Sequence, residues 1–187
     1  MQALALTCHP SAPCAYVRAV SVRTDRASED LLALSYRVEG DLDQLQLPAR
    51  RRPAQTDGLW QHTCFEAFVQ CGDTRAYLEL NFSPSSEWAI YRFDDYRRGM
   101  QLQAPQHPPE IVCRRRKDLL ETDVNVRLDR LFTERARVDG LRLGLAAVLE
   151  DRRGQLSYWA LAHPSGRPDF HHADSFAVSL PQPGVTA

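Results

Sequence analysis

Two glutamates, Glu66 and Glu79, carry the chemistry that this sequence suggests most clearly. Each lies in a run of alternating apolar and polar residues, at 63–71 and 76–83, which is the pattern of a half-buried β-strand. Because successive side chains of a strand point to opposite faces, each glutamate lies on the face opposite to the apolar set of its strand. Carboxylates that meet across strands repel each other, so a cation, a shared proton or a hydrogen-bonding ligand must offset the repulsion.

The turn between these two strands decides how the glutamates meet. Gly72 and Asp73 predict a two-residue hairpin turn, and in that register the apolar faces of the two strands coincide. The same register places Glu66 directly opposite Glu79. The predicted cross-strand pairs are Cys71 with Thr74, Ala67 with Leu78, Phe65 with Leu80, Glu66 with Glu79, and Cys64 with Asn81.

A third strand, at 88–94, offers a cation to the same face. Pro84 suits the second position of a type I turn, and a four-residue loop at this point pairs Glu79 with Arg92. Arg92 then lies in a row with both glutamates. A loop of three residues would reverse the two faces of the third strand, so the position of Arg92 depends on the length of the loop.

Aromatic and polar residues around the glutamates suit a sugar ligand. Trp60 and Trp88 can stack on the apolar face of a pyranose ring, and Trp159 with His163 can form a further wall of a cleft. The alternative for the tryptophans is the core, where large aromatic side chains usually lie, and the alternative for the polar set is a structural ion-pair network. The predicted ligand-binding residues are Trp60, Glu66, Glu79, Asn81, Trp88, Arg92, Trp159 and His163.

A loop rich in histidine raises the question of a metal site. His163, Asp169, His171 and His172 lie close together in the sequence, and histidine with carboxylate can bind zinc. Adjacent histidines on an extended chain point in opposite directions, so the prediction is a hydrogen-bonded loop without a metal. The sequence has no phosphate-binding loop, no nucleophile elbow and no haem-attachment motif, and we expect neither a cofactor nor a catalytic residue.

Strands are predicted to position the glutamates and most of the residues around them, and a loop at 163–172 carries the histidines. A short helix is predicted from Asp129 through Arg137. Many short strands without crossover helices predict an all-β domain, an antiparallel β-sandwich of jelly-roll type that spans 1–187 and ends in a polar tail from about 181. The remaining strands are predicted at 16–24, 31–39, 110–117, 119–128, 141–150, 156–162 and 176–180.

The composition and net charge of the sequence limit the kinds of partner that the protein is expected to bind. The 187 residues have 43% hydrophobic content and a formal net charge of −1, which suits one globular domain. This charge gives no electrostatic reason to expect nucleic acid or an anionic membrane as a partner. The sequence begins without a basic region followed by an apolar run, and its five cysteines lack CxxC spacing. We therefore expect a soluble, cytoplasmic protein with free thiols and a small-molecule ligand, in an oligomeric state that the sequence leaves open.

Three blocks of the sequence resemble a known family. They are LWQHTCFEAFV at 59–69, YLELNFSPSSEWAIYRFDDYRRGM at 77–100 and YWALAHPSGRPDFHHADSFAV at 158–178. Together they resemble the bacterial DOMON-like proteins related to family 9 carbohydrate-binding modules. In those modules a Trp followed six residues later by an acidic residue enters the first strand of the site, and Trp60 and Glu66 have this spacing. The resemblance implies a β-sandwich that binds sugar between aromatic side chains, although Gln61, His62 and Thr63 replace the paired aspartates common near that Trp.

These observations predict a non-catalytic module that binds a small ligand, most directly a carbohydrate. One alternative is a small cytosolic enzyme acting on a sugar or sugar-phosphate, in which Glu66 and Glu79 serve as acid and base and the basic loop at 50–52 contacts the phosphate. The other alternative is a β-sandwich that binds another protein through its aromatic residues.

Overall fold

Twelve strands build the fold, which is known from a computed structural model that describes residues 3–28, 30–72, 74–128, 131 and 140–181. Three short 3-10 turns lie at Leu42–Gln44, Leu59–Gln61 and Ala173–Ser175. The strands are β1 Leu4–Cys8, β2 Val17–Ser28, β3 Leu31–Gly40, β4 Cys64–Cys71, β5 Tyr77–Phe82, β6 Trp88–Phe93, β7 Gln101–Leu102, β8 Glu110–Arg115, β9 Leu119–Arg127, β10 Leu141–Glu150, β11 Leu156–Ala160 and β12 Val178–Leu180.

The described residues contain no α-helix, and none of their helical turns is long and apolar enough to span a membrane. The helix predicted from Asp129 through Arg137 lies outside the described residues apart from Leu131. The predicted polar tail also lies outside them beyond 181. For the rest of the chain, the prediction of an all-β antiparallel fold is confirmed.

All strands belong to one antiparallel sheet that curls until its two halves face each other. Their order is β7-β6-β5-β4-β10-β11-β1-β2-β3-β9-β8, and β12 adds to β10. Contact between the halves is direct, because the ring of Tyr36 in β3 stacks on Phe65 in β4 with centroids 4.8 Å apart. The Tyr36 hydroxyl also donates a hydrogen bond of 2.7 Å to the main-chain carbonyl of Glu66. The residues between the halves form the main core.

A second apolar layer covers the other face of β4, β5, β6 and β10. It includes Phe68, Tyr91, Phe93 and Phe170, all of them buried. Strand β10 is therefore buried on both faces, which explains its nearly continuous apolar sequence. Gly144 permits this cover to approach closely, since a Cβ at that position would lie 3.0 Å from the carbonyl oxygen of Ser175. The loop after β11 packs here and forms a wall of the candidate site.

The hairpin between β4 and β5 does not have the predicted two-residue turn. Its loop runs from Cys71 to Ala76, with Asp73 outside the described residues, and the Thr74 hydroxyl donates to the carbonyl of Cys71 at 2.9 Å. The predicted register is therefore wrong by two residues. A shift of two residues keeps each side chain on its face, so Glu66 and Glu79 still share a face but lie diagonally. The observed pairs are Phe65 with Phe82, Glu66 with Asn81, Ala67 with Leu80, Phe68 with Glu79, Val69 with Leu78 and Gln70 with Tyr77.

The loop between β5 and β6 has five residues, 83–87, and not the four that were predicted. The main-chain N–H of Ser83 donates to the carbonyl of Glu87 at 2.9 Å, which closes this longer loop. A difference of one residue reverses the two faces of β6. Tyr91 therefore takes the place opposite Glu79 that Arg92 was predicted to occupy, and Trp88 faces the main core opposite Phe82.

Candidate functional site

A pocket of about 560 Å³ opens on the face of the sheet that carries the two glutamates. Strands β4, β5, β6, β10 and β11 form its floor, and three connecting segments form its rim. Its volume falls in the range of ordinary small-molecule sites, and its surface combines aromatic walls with a few polar groups. The lining residues are Trp60, Gln61, Glu66, Glu79, Phe93, Arg97, Met100, Val148, Leu156, Tyr158, Pro168, Phe170 and His171.

Glu66 and Glu79 form the acidic floor of this pocket, and both are buried. One carboxyl oxygen of Glu79, Oε1, accepts a hydrogen bond of 2.8 Å from the side-chain amide of Asn81. Oε1 of Glu66 is buried and accepts no hydrogen bond from the described residues. Burial, and next the charge of Glu79, raise the pKa of Glu66 well above its usual value, against a smaller opposing effect of Arg97.

The pKa of Glu79 is raised to a lesser degree. Burial raises it, while the hydrogen bond from Asn81 and the charge of Arg97 lower it. Neighbouring carboxyl groups titrate as a pair, so the raised pKa describes the two glutamates together. The floor of the pocket is therefore a carboxyl pair that binds protons more tightly than free glutamate side chains do.

Arg97 is the cation that the fold brings to this face, in place of the predicted Arg92. It lies in the loop between β6 and β7 with a left-handed backbone, at φ 51°, and its N–H donates to the Tyr77 hydroxyl at 3.2 Å. The Arg97 guanidinium donates to Asp169 at 2.8 Å, and the Tyr96 hydroxyl donates to the other oxygen of the same carboxylate. These bonds outweigh burial and hold the pKa of Asp169 below its usual value. Asp169 thus fastens the β6–β7 loop to the loop after β11.

His171 lies between the glutamate floor and this fastened loop. Its Nδ1 is 2.7 Å from the Tyr77 hydroxyl, and its Nε2 is 3.6 Å from Oε2 of Glu79. Burial, and next the charge of Arg97, lower the pKa of His171 to about 4, so the imidazole is neutral at neutral pH. Because the Tyr77 oxygen accepts the N–H of Arg97, we assign the hydroxyl proton to the bond with Nδ1 and the ring proton to Nε2, toward Glu79.

Aromatic rings form the walls of the pocket. Trp60 is half-buried and meets Tyr91 edge to face, with ring centroids 5.5 Å apart. The Tyr91 hydroxyl donates to Asp57 at 2.6 Å, which ties the segment before Trp60 to strand β6. On another wall the rings of Tyr158 and Phe170 lie 6.1 Å apart. The pocket therefore presents flat apolar surfaces beside groups that donate and accept hydrogen bonds.

Half of the predicted ligand-binding residues meet at this pocket. Trp60, Glu66 and Glu79 line it, and Asn81 lies beside Glu79 in the buried floor. Alternation along β4 and β5 was sufficient to bring the last three together. Their role in binding stays a prediction.

The structure places the other four predicted residues away from the pocket lining. Trp88 is 5% exposed in the main core, and Arg92 lies opposite Leu78 with its Nε 3.6 Å from Asp94. Both positions follow from the five-residue loop. Trp159 also faces the main core, where its indole N–H donates to Ser157 at 3.1 Å. The Nε2 of His163 lies 2.8 Å from the carbonyl oxygen of Thr7, and the ring stands edge to face against His9.

The residues considered for a metal site are engaged in separate interactions. Asp169 and His171 belong to the pocket rim, and His163 bonds to strand β1. The ring of His172 accepts the N–H of Asp174 at 3.3 Å and so begins a 3-10 turn. Among the described residues, no group of three or more His, Cys, Asp or Glu side chains is arranged to hold a metal ion.

Replacing Asp169 by alanine is expected to lower the free energy of unfolding by about 1–2 kcal/mol, because its half-buried carboxylate accepts hydrogen bonds from the side chains of Arg97 and Tyr96 and from the main-chain N–H of His171. Urea denaturation followed by circular dichroism measures this loss. Asp174→Ala is the matched control, since its side chain is 74% exposed, and it should change stability by less than about 0.5 kcal/mol. Equal effects of the two substitutions would contradict the role given to Asp169.

Comparisons with known proteins identify relatives of the fold. The sequence matches no family model and no curated protein. Among solved structures, a Bacteroides uniformis protein provisionally described as carbohydrate-binding has a TM-score of 0.64 and 13% identity, over 93% of this chain and 83% of that one.

A family 9 carbohydrate-binding module from Caldicellulosiruptor kristjanssonii, solved with glucose, has a TM-score of 0.53 and 11% identity, over 94% of this chain and 81% of that one. A family 9 module from the same organism, solved with cellotriose, has a TM-score of 0.51 and 11% identity, over 88% and 74%. Such identities establish a similar fold and nothing further.

Proposed function

We propose that this chain is a non-catalytic carbohydrate-binding module that holds a sugar in the pocket of about 560 Å³ described above. The observation that carries the proposal is the meeting, in one cavity, of aromatic walls with a buried floor of two carboxyl groups. Pyranose rings have apolar faces that stack on aromatic side chains, and hydroxyl groups that bond to carboxyl, guanidinium and imidazole groups. Trp60, Glu66 and Glu79 supply the predicted part of this chemistry, and Arg97, Tyr158 and His171 complete it.

The structural relatives support this proposal, since they are described as carbohydrate-binding and two of them were solved with glucose or cellotriose. We extend it to the finer assignments that the sequence motifs suggested, namely a jelly-roll β-sandwich, a place among the bacterial DOMON-like proteins and a cytoplasmic location. We likewise propose a small molecule, and neither nucleic acid nor a membrane, as the partner.

For each of the two alternatives, one predicted feature is not found where the sequence placed it. The arginines at 50–52 are exposed and do not line the pocket, and Arg51 pairs with Glu87 at 3.3 Å, so the phosphate contact of a sugar-phosphate enzyme is missing there. A protein-binding surface built on Trp60 and Trp88 is also missing, because Trp88 is buried in the core and Trp60 lines the pocket.

Calorimetric titration with a panel of neutral and charged mono- and oligosaccharides tests the proposal. We expect heat from at least one sugar, and we expect Trp60→Ala to weaken its binding about tenfold, which corresponds to about 1.4 kcal/mol and to the loss of one stacking surface. Val112→Ala removes an exposed apolar side chain on β8, outside the pocket, and should leave the affinity unchanged. An absence of heat from every sugar would overturn the proposal.

A further inference from the structure

The pocket floor has more acidic groups than available cations. Glu66 and Glu79 enter it from adjacent strands on one face. Arg97 is the one arginine or lysine among the described residues that line the pocket, and its guanidinium is already paired with Asp169 at 2.8 Å. His171 is a neutral imidazole at neutral pH. Two buried carboxyl groups therefore share one cation that is engaged elsewhere.

The donors nearest to Glu66 are also engaged elsewhere. The Tyr36 hydroxyl donates to the main-chain carbonyl of Glu66 and not to its side chain. The side-chain amide of Asn81, which lies directly across from Glu66, donates to Glu79. Oε1 of Glu66 is left as a buried polar atom without a hydrogen-bond partner among the described residues. Buried polar groups without a partner are uncommon in folded proteins, and this one belongs to a side chain that lines a cavity, where a ligand can supply the donor.

An ammonium group of a ligand is a better partner for the two carboxyl groups than a hydroxyl group is. A hydroxyl group donates one hydrogen bond and carries no charge, so it cannot replace the positive charge of a proton held by the two carboxyl groups. An ammonium group donates three hydrogen bonds and is attracted to both carboxyl groups, and its bonds to an ionised acceptor are stronger. The aromatic walls of the same pocket remain available to a sugar ring.

We propose that the ligand is an amino sugar whose ammonium group binds between the carboxyl groups of Glu66 and Glu79. This inference rests on the proposed function and specifies the class of sugar. Trp60 stacks on the ring, and the ammonium group supplies the donor that Oε1 of Glu66 lacks.

A release of protons accompanies such binding. In the free protein, burial and the charge of Glu79 raise the pKa of Glu66, and a bound ammonium group lowers the pKa of the carboxyl pair, so that the pair releases protons into the solvent. A neutral sugar leaves the protons of the pair in place. The titratable and charged groups around Glu66 are Glu79 and Tyr77 of β5, Cys64 of β4, Tyr36 of β3, Arg97 of the β6–β7 loop and His171 of the loop after β11.

The test compares pairs of sugars that differ in one substituent. Glucosamine, galactosamine and mannosamine are each titrated beside the parent hexose at neutral pH, with N-acetylglucosamine as a neutral sugar that keeps the nitrogen. We expect at least one amino sugar to bind about tenfold more tightly than its parent, and acetylation to abolish this preference. Repeating the titration in two buffers with different ionisation enthalpies counts the released protons, and we expect up to one proton for the amino sugar and none for the hexose.

Variants separate this inference from the proposed function. Glu66→Gln keeps the shape of the side chain and should remove the preference for the amine, and Glu79→Gln provides an independent second variant. Val112→Ala should retain the preference. If the parent hexoses bind as tightly as the amino sugars, or if both glutamine variants keep the preference, the ammonium site is wrong while the carbohydrate module stands. If no sugar of either series binds, the proposed function is wrong, and this inference is wrong with it.

Discussion

Replacing Trp88 by alanine is expected to lower the free energy of unfolding by about 3–5 kcal/mol, the largest single effect among the substitutions considered. The indole is 5% exposed and lies in the main core opposite Phe82, between the two halves of the curled sheet. Its removal leaves a cavity that the neighbouring strands cannot close, because their backbones are held by the ladder on both sides of β6. The candidate pocket lies on the opposite face of that strand, so the proposed sugar binding by the folded fraction should persist.

Urea denaturation followed by far-ultraviolet circular dichroism measures this loss without relying on tryptophan fluorescence. Trp88→Phe is the matched control, since the indole N–H of Trp88 is buried without a partner among the described residues and its removal leaves no acceptor unsatisfied. The phenylalanine variant should therefore lose less than half as much stability as the alanine variant. A loss below about 1 kcal/mol for Trp88→Ala, or a large loss of sugar affinity in the folded protein, would place Trp88 on the ligand face after all.

Trp88 and Glu79 show which errors in loop length change the sheet face that strand alternation predicts for a residue. Side chains alternate between the two faces of a sheet with a period of two. The predicted face of a residue is therefore unchanged when the predicted register is wrong by two residues. Glu66 and Glu79 stayed together for this reason, although the predicted Gly72–Asp73 turn was wrong. An error of one residue has the opposite effect. Trp88 and Arg92 changed faces because the loop at 83–87 has five residues, a length that hydrogen bonds within the loop decide.

The residues of the pocket rim could not be predicted from the sequence, for a different reason. Arg97 and His171 are 74 positions apart in the sequence, and they meet because Asp169 and Tyr77 hold their loops together. Neither loop has a periodicity that fixes where its side chains point. One signal for this second layer was available in β10, whose almost continuous apolar sequence indicates a strand covered on both faces.

Replacing Glu66 by glutamine is expected to remove a decline in stability that the wild-type protein shows as pH rises. The pKa of Glu66 in the folded protein lies well above its ordinary value of 4.5, because of burial and the charge of Glu79. Above that ordinary value the unfolded chain has lost the proton while the folded chain still holds it, so the unfolded state binds fewer protons. The free energy of unfolding then falls with rising pH by about 1.4 kcal/mol per pH unit for one proton, until the pH passes the pKa of the folded state.

The pH window for this measurement begins where His171 no longer titrates. The pKa of His171 is lowered from 6.5 to about 4 in the folded protein, so between those values the unfolded state binds the extra proton and stability rises with pH. This contribution opposes that of Glu66 and ends above pH 6.5. Urea denaturation at a series of pH values from about 6.5 to 7.5 therefore avoids the titration of His171 and stays below the range in which the cysteine thiols of the unfolded chain ionise. In this window the difference between the wild type and Glu66→Gln reports the glutamate pair.

Glu87→Gln is the matched control for the glutamine variant. Burial raises the pKa of Glu87, but the hydrogen bonds from Ser85 and Thr56 and the charge of Arg51 together hold it below its usual value, so this carboxylate is ionised in both states throughout the window. Its variant should show a stability curve that is displaced from the wild type but parallel to it. The Glu66→Gln curve should instead diverge upward from the wild type as pH rises. Parallel curves for Glu66→Gln as well would mean that the folded protein does not hold this proton, and the acidic floor of the pocket would then need a cation in the free protein.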